Sequence, residues 1–209
     1  LQLAAGAQGL TCAKVGEAAA RADAGIQAIL IANEVIGRRK IERLMDLASR
    51  CDIIVAVDPP QNLQDLDASA AARGVRPRVL VEVNIGHNRC GVQPAAVVEC
   101  ARAAQAAENL RFCGLMGYEG HVIDLEDKDE RDGGCHQCIQ RLVDARADIE
   151  AAGLPCQICS ASGTGDYYIS TSFDGITEVQ AGSYALMDAA YGRLNLGFDN
   201  ALTVLTTVT

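Results

Sequence analysis

The sequence predicts an α/β protein built on a parallel (β/α)8 barrel that is incomplete at its N-terminal end by one strand. Seven short apolar runs recur along the 209 residues, and stripes such as Ile41, Leu44 and Met45 lie between them at helical spacing. The rhythm does not change along the chain, whereas an open doubly wound sheet has a switch point. Strands that alternate with helices imply a parallel sheet with right-handed crossovers.

The predicted elements follow one another in a simple order. The strands are expected at residues 10–13, 28–32, 53–57, 79–83, 112–118, 157–161 and 177–180, and the absent βα unit would precede Leu1. After Gly192 the pattern changes to a β-branched run, for which we expect a strand over 201–208. We therefore assign residues 1–192 to the barrel and residues 193–209 to the start of a C-terminal β domain.

Composition and charge narrow the classes of function. The formal net charge is −9, which disfavours a nucleic-acid partner, and the one basic run, at residues 38–40, is expected to be a solvated helix start. No apolar stretch approaches the length of a membrane helix, and the first residues lack a basic leader region. These features predict a cytoplasmic protein with no membrane or nucleic-acid partner.

The nine cysteines predict free thiols, since an odd number cannot all be paired. The pair Cys135 and Cys138 is separated by 17 residues from the pair Cys156 and Cys159, which matches a zinc-ribbon spacing. However, the stripe between the pairs predicts a helix from Gly133–Gly134 to Gly153, which would keep the two pairs at opposite ends of a rod of about 20 Å, at roughly 1.5 Å per residue. The second pair lies in a strand-like run, where residues three apart point to opposite faces. We therefore expect buried structural thiols and no zinc site.

The candidate site residues follow the predicted strands, where function collects in a barrel. The loops at 162–165 and 182–184 consist largely of Gly, Ser and Thr, which let backbone N–H groups approach an anion. We expect them to converge on one anion site, with Arg89 and Tyr118 across the same mouth. Each signal has an ordinary alternative: a plain turn at 162–165, a surface ion pair for Arg89, a core position for Tyr118 and a loop cap for His121.

Other polar residues are expected to be solvated. His87 and His136 have no evident partners and are predicted to lie on the surface. The carboxylates of Asp124, Glu126, Asp127 and Asp129 are predicted to form a solvated acidic loop rather than a metal site.

Five segments together resemble a known family. They are GLTCAKVGEA at 9–18, EVNIGHNRCG at 82–91, YEGH at 118–121, SGTG at 162–165 and EVQAGSYALMD at 178–188. In their order and content they are similar to the D-threonine aldolase and D-serine dehydratase family, whose members have an alanine-racemase-like barrel and use pyridoxal 5'-phosphate (PLP). The resemblance extends from about Gln8 to the final predicted strand.

The resemblance implies a cofactor site made of named residues. Thr164 with its flanking glycines, and Gly182 with Ser183, would hold the cofactor phosphate, while Arg89 and Tyr118 would lie near the pyridine ring. His121 is a candidate on the substrate side. The full set of implied PLP-binding residues is Arg89, Tyr118, Ser162, Gly163, Thr164, Gly165, Gln180, Gly182, Ser183 and Tyr184.

The sequence departs from the family in two respects. The family's PLP-linked lysine lies on the first barrel strand, and that segment is absent here, so no residue of this chain is assigned as catalytic. Lys14 lies at a predicted strand end but does not stand in the family's lysine motif. The family's divalent metal, Mn, Mg or Zn, is held by a C-terminal domain that is also absent, so we assign no metal ligand in this chain.

For the intact protein the resemblance implies a PLP-dependent lyase with a small D-amino acid as substrate. Retro-aldol cleavage of D-threonine to glycine and acetaldehyde is preferred, and dehydration of D-serine or D-3-hydroxyaspartate is the alternative. We expect this fragment to be inactive by itself. We also expect that the intact protein can form a homodimer. Two rivals stay open: a non-catalytic PLP-binding barrel, and a barrel enzyme whose loops bind a phosphorylated substrate instead of PLP.

Overall fold

Seven parallel strands form a single sheet in the computed structural model, which describes residues 1–58 and 60–207. Each strand pairs with the strands next to it in sequence, so the order along the sheet is the order along the chain. The sheet curls into a partial barrel, which confirms the prediction of seven parallel strands that alternate with helices. The strands are β1 Leu10–Cys12, β2 Ala28–Glu34, β3 Asp52–Val57, β4 Arg78–Glu82, β5 Arg111–Met116, β6 Ile158–Ala161 and β7 Glu178–Val179.

Helices connect the strands on the outside of the sheet. They are α1 Val15–Asp23, α2 Arg38–Ala48, α3 Pro60–Arg73, α4 Val97–Ala106, α5 Gly120–Ile123, α6 Lys128–Ala151, α7 Tyr167–Ser170 and α8 Ala189–Gly192. The basic run at 38–40 starts α2 and is exposed, as predicted. In the part of the chain that the structure describes, no helix combines the length and the apolar character needed to cross a bilayer.

Helix α6 begins earlier than the sequence predicted. We expected a start at Gly133–Gly134, but the helix starts at Lys128, where the Asp127 carboxylate caps it by accepting a hydrogen bond from the Glu130 backbone N–H at 2.9 Å. The capping bond and the acidic first turn favour this start. The predicted acidic loop is therefore partly helical, and its carboxylates are exposed, as expected.

The core has two layers that follow the period-2 alternation of the strands. Ile29 and Ile31 of β2 face the helices, where they join the large outer cluster. Leu30 faces the barrel interior, with Ile54, Ala56, Leu80, Cys113 and Met116 from the other strands. Side chains at the carboxyl ends of the inward-facing rows therefore meet at the mouth of the barrel.

The C-terminal segment does not form the expected strand. Over the described residues 201–207 the chain is irregular, and Leu202, Val204 and Leu205 are exposed. A strand needs a neighbour that pairs with its backbone groups. Among the described residues, the backbone bonds of 201–207 run only from the N–H groups of Ala201 and Leu202 to the Leu186 carbonyl. Position 208, which completes the predicted strand, lies outside the described residues.

Candidate active site

A cavity of about 230 Å³ lies at the carboxyl ends of the strands. Eight of the ten residues predicted from the sequence line it: Arg89, Tyr118, Ser162, Gly163, Thr164, Gln180, Gly182 and Ser183. The remaining lining residues, which sequence reasoning missed, are Ala32, Met116, Gly117 and Tyr191. The structure thus brings the two small-residue loops together, with Arg89 and Tyr118 at the same cavity.

Hydrogen bonds connect the loop at 162–165, and the strand that precedes it, to the neighbouring segment at 180–184. The Thr164 hydroxyl accepts a bond from the Tyr184 backbone N–H at 2.9 Å, and the Gln180 side chain donates to the Ser160 hydroxyl at 2.8 Å. Ser162 is buried in the left-handed region, with φ of 62°, and its hydroxyl contacts that of Ser170. A non-glycine residue held there is strained, which is common at binding sites.

Several backbone donors on these loops are free to receive an anion. Within residues 1–58 and 60–207, the N–H groups of Thr164, Gly165, Gly182 and Ser183 donate to no protein acceptor. The hydroxyl protons of Thr164 and Ser183 add further donors at the same place. Neutral donors grouped in this way suit a phosphate dianion without a lysine.

Two predicted residues lie beside the cavity rather than in its wall. Gly165 packs against Ile123, whose Cγ2 atom would be 2.7 Å from an added Cβ, so packing rather than anion access requires glycine here. Tyr184 lines a neighbouring cavity with Thr164, Tyr167 and Phe198, and its hydroxyl accepts a bond from the Gln2 amide at 2.8 Å.

Arg89 and Tyr118 form the opposite wall. The Arg89 guanidinium carbon lies 5.5 Å from the centre of the Tyr118 ring, within range of a cation–π interaction. Gly120 allows the ring to lie there, because an added Cβ would be 2.4 Å from a ring carbon. Burial raises the pKa of Tyr118 to about 12, with a contribution from Tyr191, so the phenol is neutral at physiological pH.

A group of acids under Arg89 was missed by the sequence analysis. Ligand atoms of Glu34, Glu82 and Cys90 lie within 4.8 Å of one another, and Arg89 approaches Glu82 at 3.5 Å. Burial and the neighbouring Glu82 raise the pKa of Glu34; burial also raises the pKa of Asp58, which is nearby. Glu82 and Asp58 lie two residues after Leu80 and Ala56, which face the barrel interior. The alternation along β3 and β4 could therefore have predicted that both carboxylates face inward.

Two histidines also meet at this mouth. His87 was predicted to be a solvated surface residue, but it is half-buried, stacks on His121 with ring centres 5.5 Å apart and presents its edge to Tyr118 at 5.6 Å. The tight loop after β4 brings His87 back towards β5. Burial lowers the pKa of both histidines, as does Arg89 for His87 and Arg141 for His121. His136 is exposed, as expected, and its ring lies against Phe173.

None of the three lysines lines the cavity in the described structure. Lys14 ends the β1 loop and is exposed, Lys40 lies on α2, and Lys128 contacts Asp132 at the start of α6. An amine that could be linked to a cofactor at this mouth is therefore not supplied by these residues.

The four cysteines with zinc-ribbon spacing are buried as free thiols, as are Cys12, Cys100 and Cys113. Cys135 and Cys138 lie on α6, as predicted, and Cys159 lies on β6. The expectation that Cys156 and Cys159 lie in one strand is wrong, because β6 begins at Ile158; the Cys156 thiol instead donates to the Ile158 carbonyl at 3.3 Å. Cys156 precedes β6, and a bend at Gln157 interrupts the extended chain.

The sequence and the fold are similar to those of known proteins. Residues 1–190 match the family model described as "Alanine racemase, N-terminal domain". The chain is 39% identical to a 3-hydroxy-D-aspartate aldolase of Paracoccus denitrificans over 97% of its own length and 55% of the relative's. It is 38% identical to a D-threonine aldolase of an Arthrobacter species, over 99% and 56% of the two lengths.

Solved structures show the same relationship. The D-threonine aldolase of Filomicrobium marinum superposes with a TM-score of 0.92 at 40% identity, over 96% of this chain and 55% of that one. A metal-free variant of D-threo-3-hydroxyaspartate dehydratase gives a TM-score of 0.85 at 26% identity, over 93% and 52%. The chain spans about half the length of the curated relatives that it matches.

Proposed function

The chain belongs to the alanine racemase N-terminal domain family, and from that premise we propose that it is the cofactor-binding barrel of a PLP-dependent lyase that cleaves D-β-hydroxy-amino acids. The single observation that carries the proposal is the group of free N–H and hydroxyl donors at 162–165 and 182–183, which faces Arg89 and Tyr118 across one cavity. D-threonine is the preferred substrate, with glycine and acetaldehyde as products. The two aldolase relatives at 38–39% identity support cleavage over dehydration.

The donor set fits PLP, because the cofactor offers a phosphate at one end and a flat ring at the other. Thr164, Gly182 and Ser183 would hold the phosphate by neutral hydrogen bonds, and Tyr118 would limit the ring on one side. Arg89 would stabilise a negative oxygen on the ring. PLP supplies an electron sink for the bond that breaks.

Residues of this chain would also act on the substrate. His121 is neutral at physiological pH, since burial and Arg141 lower its pKa, and it lies beside His87 at the mouth. A neutral imidazole there can accept a proton from a β-hydroxyl group. We propose that a divalent metal, Mn, Mg or Zn, assists at that hydroxyl in the intact protein, which is in keeping with the related dehydratase having a structure described as metal-free.

One observation favours a second candidate from another class. Because no described lysine lines the cavity, the chain by itself also suits a PLP-binding barrel without catalysis. The two candidates differ in what the intact protein does with D-threonine, and both predict PLP at the same loops.

A titration with PLP tests the proposal on this chain. We expect saturable binding of one PLP per chain, seen in the absorbance of its ring, and weakening when inorganic phosphate competes. Retention of phosphate binding without PLP binding would instead favour an enzyme for a phosphorylated substrate. In the intact protein, acetaldehyde release from D-threonine supports the aldolase, release of ammonia supports a dehydratase, and neither product supports the non-catalytic barrel.

Borohydride reduction tests the assignment of the lysines. Lys14, Lys40 and Lys128 are exposed and away from the cavity, so reduction in the presence of PLP should leave no lysine labelled in stoichiometric amount. Peptide mass mapping reads the result. Stoichiometric label on Lys14 that phosphate prevents would contradict the assignment, whereas weak label shared by all three is non-specific.

A further inference from the structure

Two carboxyl groups are buried behind the loop at 162–165. Glu119 follows β5 and Asp166 precedes α7, and their exposed fractions are 0% and 1%. The Glu119 Oε1 and Oε2 atoms and the Asp166 Oδ2 atom have no hydrogen-bond donor. Buried polar atoms are rarely left without a partner, so three such atoms in one place need an explanation.

Neither carboxyl group is paired with a cation within residues 1–58 and 60–207. The groups that face the pair are the Ser162 hydroxyl from the β6 loop, the Cys135 and Cys138 thiols from α6, and the Tyr118 phenol from the β5 loop. Among the described residues, no ion pair includes Glu119 or Asp166. Two adjacent carboxylates without a counterion are strongly unfavourable in a buried site.

A single proton removes one of the two charges and gives a partner to two of the three oxygens. The loops that contain Glu119 and Asp166 pack against each other, since an added Cβ on Gly163 would lie 3.8 Å from the Tyr118 ring and one on Gly165 would lie 2.7 Å from Ile123. Both carboxyl groups are fully enclosed at this contact, so we place them as neighbours. With a proton on Glu119, its O–H donates to Asp166, one negative charge remains, and two of the three unpartnered oxygens, one on each residue, share a bond. Burial, followed by the contact with Asp166, raises the pKa of Glu119 well above its usual value.

Asp166 connects this proton to the candidate site. Its Oδ1 atom accepts a hydrogen bond from the Gly163 N–H at 3.1 Å, and its backbone carbonyl accepts the Ile169 N–H at 2.9 Å. The Asp166 side chain therefore holds the loop whose neighbouring N–H groups, on Thr164 and Gly165, are free for an anion. If Glu119 loses its proton, the second charge repels Asp166 and disturbs this loop.

We propose that Glu119 and Asp166 share one proton, and that this pair is a positioning device that keeps residues 162–166 in the phosphate-receiving shape only while the proton is bound. The proposal rests on the proposed function in taking PLP as the ligand. Deprotonation transfers the proton to solvent base and involves no other co-reactant. Affinity for PLP should then fall as the pH rises, by up to about tenfold per pH unit above the titration point of the pair.

Infrared spectroscopy of the ligand-free chain tests the shared proton directly. The wild type at neutral pH should show the C=O stretching band of a buried protonated carboxyl group, and Glu119→Gln should remove it. The control is Glu108→Gln, a change at an exposed glutamate, which should leave the band in place. Absence of the band from the wild type would overturn the proposal whether or not PLP binds.

The pH dependence of PLP affinity tests the link to the loop. Glu119→Gln keeps a neutral donor towards Asp166, so we expect near wild-type affinity at low pH and a flatter decline towards high pH. Glu119→Ala, which removes the donor, should be weaker than Glu119→Gln at every pH. The same decline in the wild type and in Glu119→Gln would overturn the positioning role, since the titration of PLP itself is common to both.

Failure of the proposed function gives a different result. If PLP does not bind at any pH while the infrared band is present and lost in Glu119→Gln, PLP is the wrong ligand and the shared proton stands. The titration is then repeated with inorganic phosphate as the probe. If the affinity for phosphate depends on pH in the same way in the wild type and in Glu119→Gln, the positioning role is overturned.

Discussion

Thr164 is the residue where the two loops of the site meet. Its hydroxyl accepts the Tyr184 N–H at 2.9 Å and keeps its own proton for a ligand. Thr164→Val should weaken PLP binding by about 1.5–3 kcal/mol, about 10- to 150-fold in Kd, through loss of one charge-assisted bond. The titration of PLP absorbance measures this change.

The control for Thr164→Val is the same substitution at a threonine away from the cavity. Thr171 is exposed at the end of α7, where its hydroxyl donates to the Tyr167 carbonyl at 2.8 Å. Thr171→Val should leave the Kd for PLP unchanged. Equal affinity of Thr164→Val and wild type would show that the hydroxyl does not contact the phosphate.

At the scale of an element, α6 contains two glycines with different surroundings. An added Cβ at Gly133 meets nothing within 4 Å, whereas at Gly134 it would lie 3.0 Å from the Val122 Cγ1 atom. Gly133→Ala should raise the free energy of unfolding by about 0.5–1 kcal/mol, because alanine loses less backbone entropy in a helix. Urea unfolding measures the gain, which Gly134→Ala should not match. A loss of stability in Gly133→Ala would argue against a continuous helix here.

The cysteines on α6 and β6 give a second prediction at this scale. Seven thiols are buried, and burial raises the pKa of the half-buried Cys90 to about 12 and also raises that of Cys51. A thiol reagent should therefore react slowly with the native chain. After unfolding, it should react rapidly with all nine thiols. Metal analysis should find no stoichiometric zinc. Zinc that disappears in Cys138→Ser or Cys159→Ser would contradict the buried-thiol assignment.

For the whole molecule, the pH dependence of stability has opposing contributions. The pKa of Glu119 is raised in the fold, so the folded chain keeps a proton that the unfolded chain releases, and stability falls as pH rises from about 4.5 to the folded value. The pKa values of His87 and His121 are lowered, so their contribution is lost as pH falls below about 6.5. The dependence of the unfolding free energy on pH therefore cannot be assigned to a single group in the wild type.

The difference between two proteins isolates Glu119. The histidine contributions are common to the wild type and to Glu119→Gln, so they cancel when the two unfolding free energies are subtracted. As the pH rises, the wild type should lose free energy of unfolding relative to Glu119→Gln, by at most about 1.4 kcal/mol per pH unit. Urea unfolding at several pH values between 5 and 8 measures it. A difference that is constant with pH would mean that Glu119 titrates normally in the fold.

Sequence alone determined the architecture and most of the cavity wall. The alternation of apolar runs and helical stripes predicted seven parallel strands, and the rule that parallel strands end at one edge placed Arg89, Thr164 and Ser183 at a common mouth. These are local signals: periodicity shows which face of an element is buried, and Gly, Ser and Thr mark where a backbone can approach a ligand. The alternation within β4 could also have pointed to Glu82.

Only the tertiary structure decided which side chains from distant segments meet. Glu119 and Asp166 are buried together where two βα loops pack, and the stacking of His87 on His121 depends on a tight turn after β4. No described strand pairs with the irregular backbone at 201–207. A pattern of hydrophobicity contains no distance between separate elements. The environment of a buried charge, and therefore its protonation, depends on the groups that packing places around it.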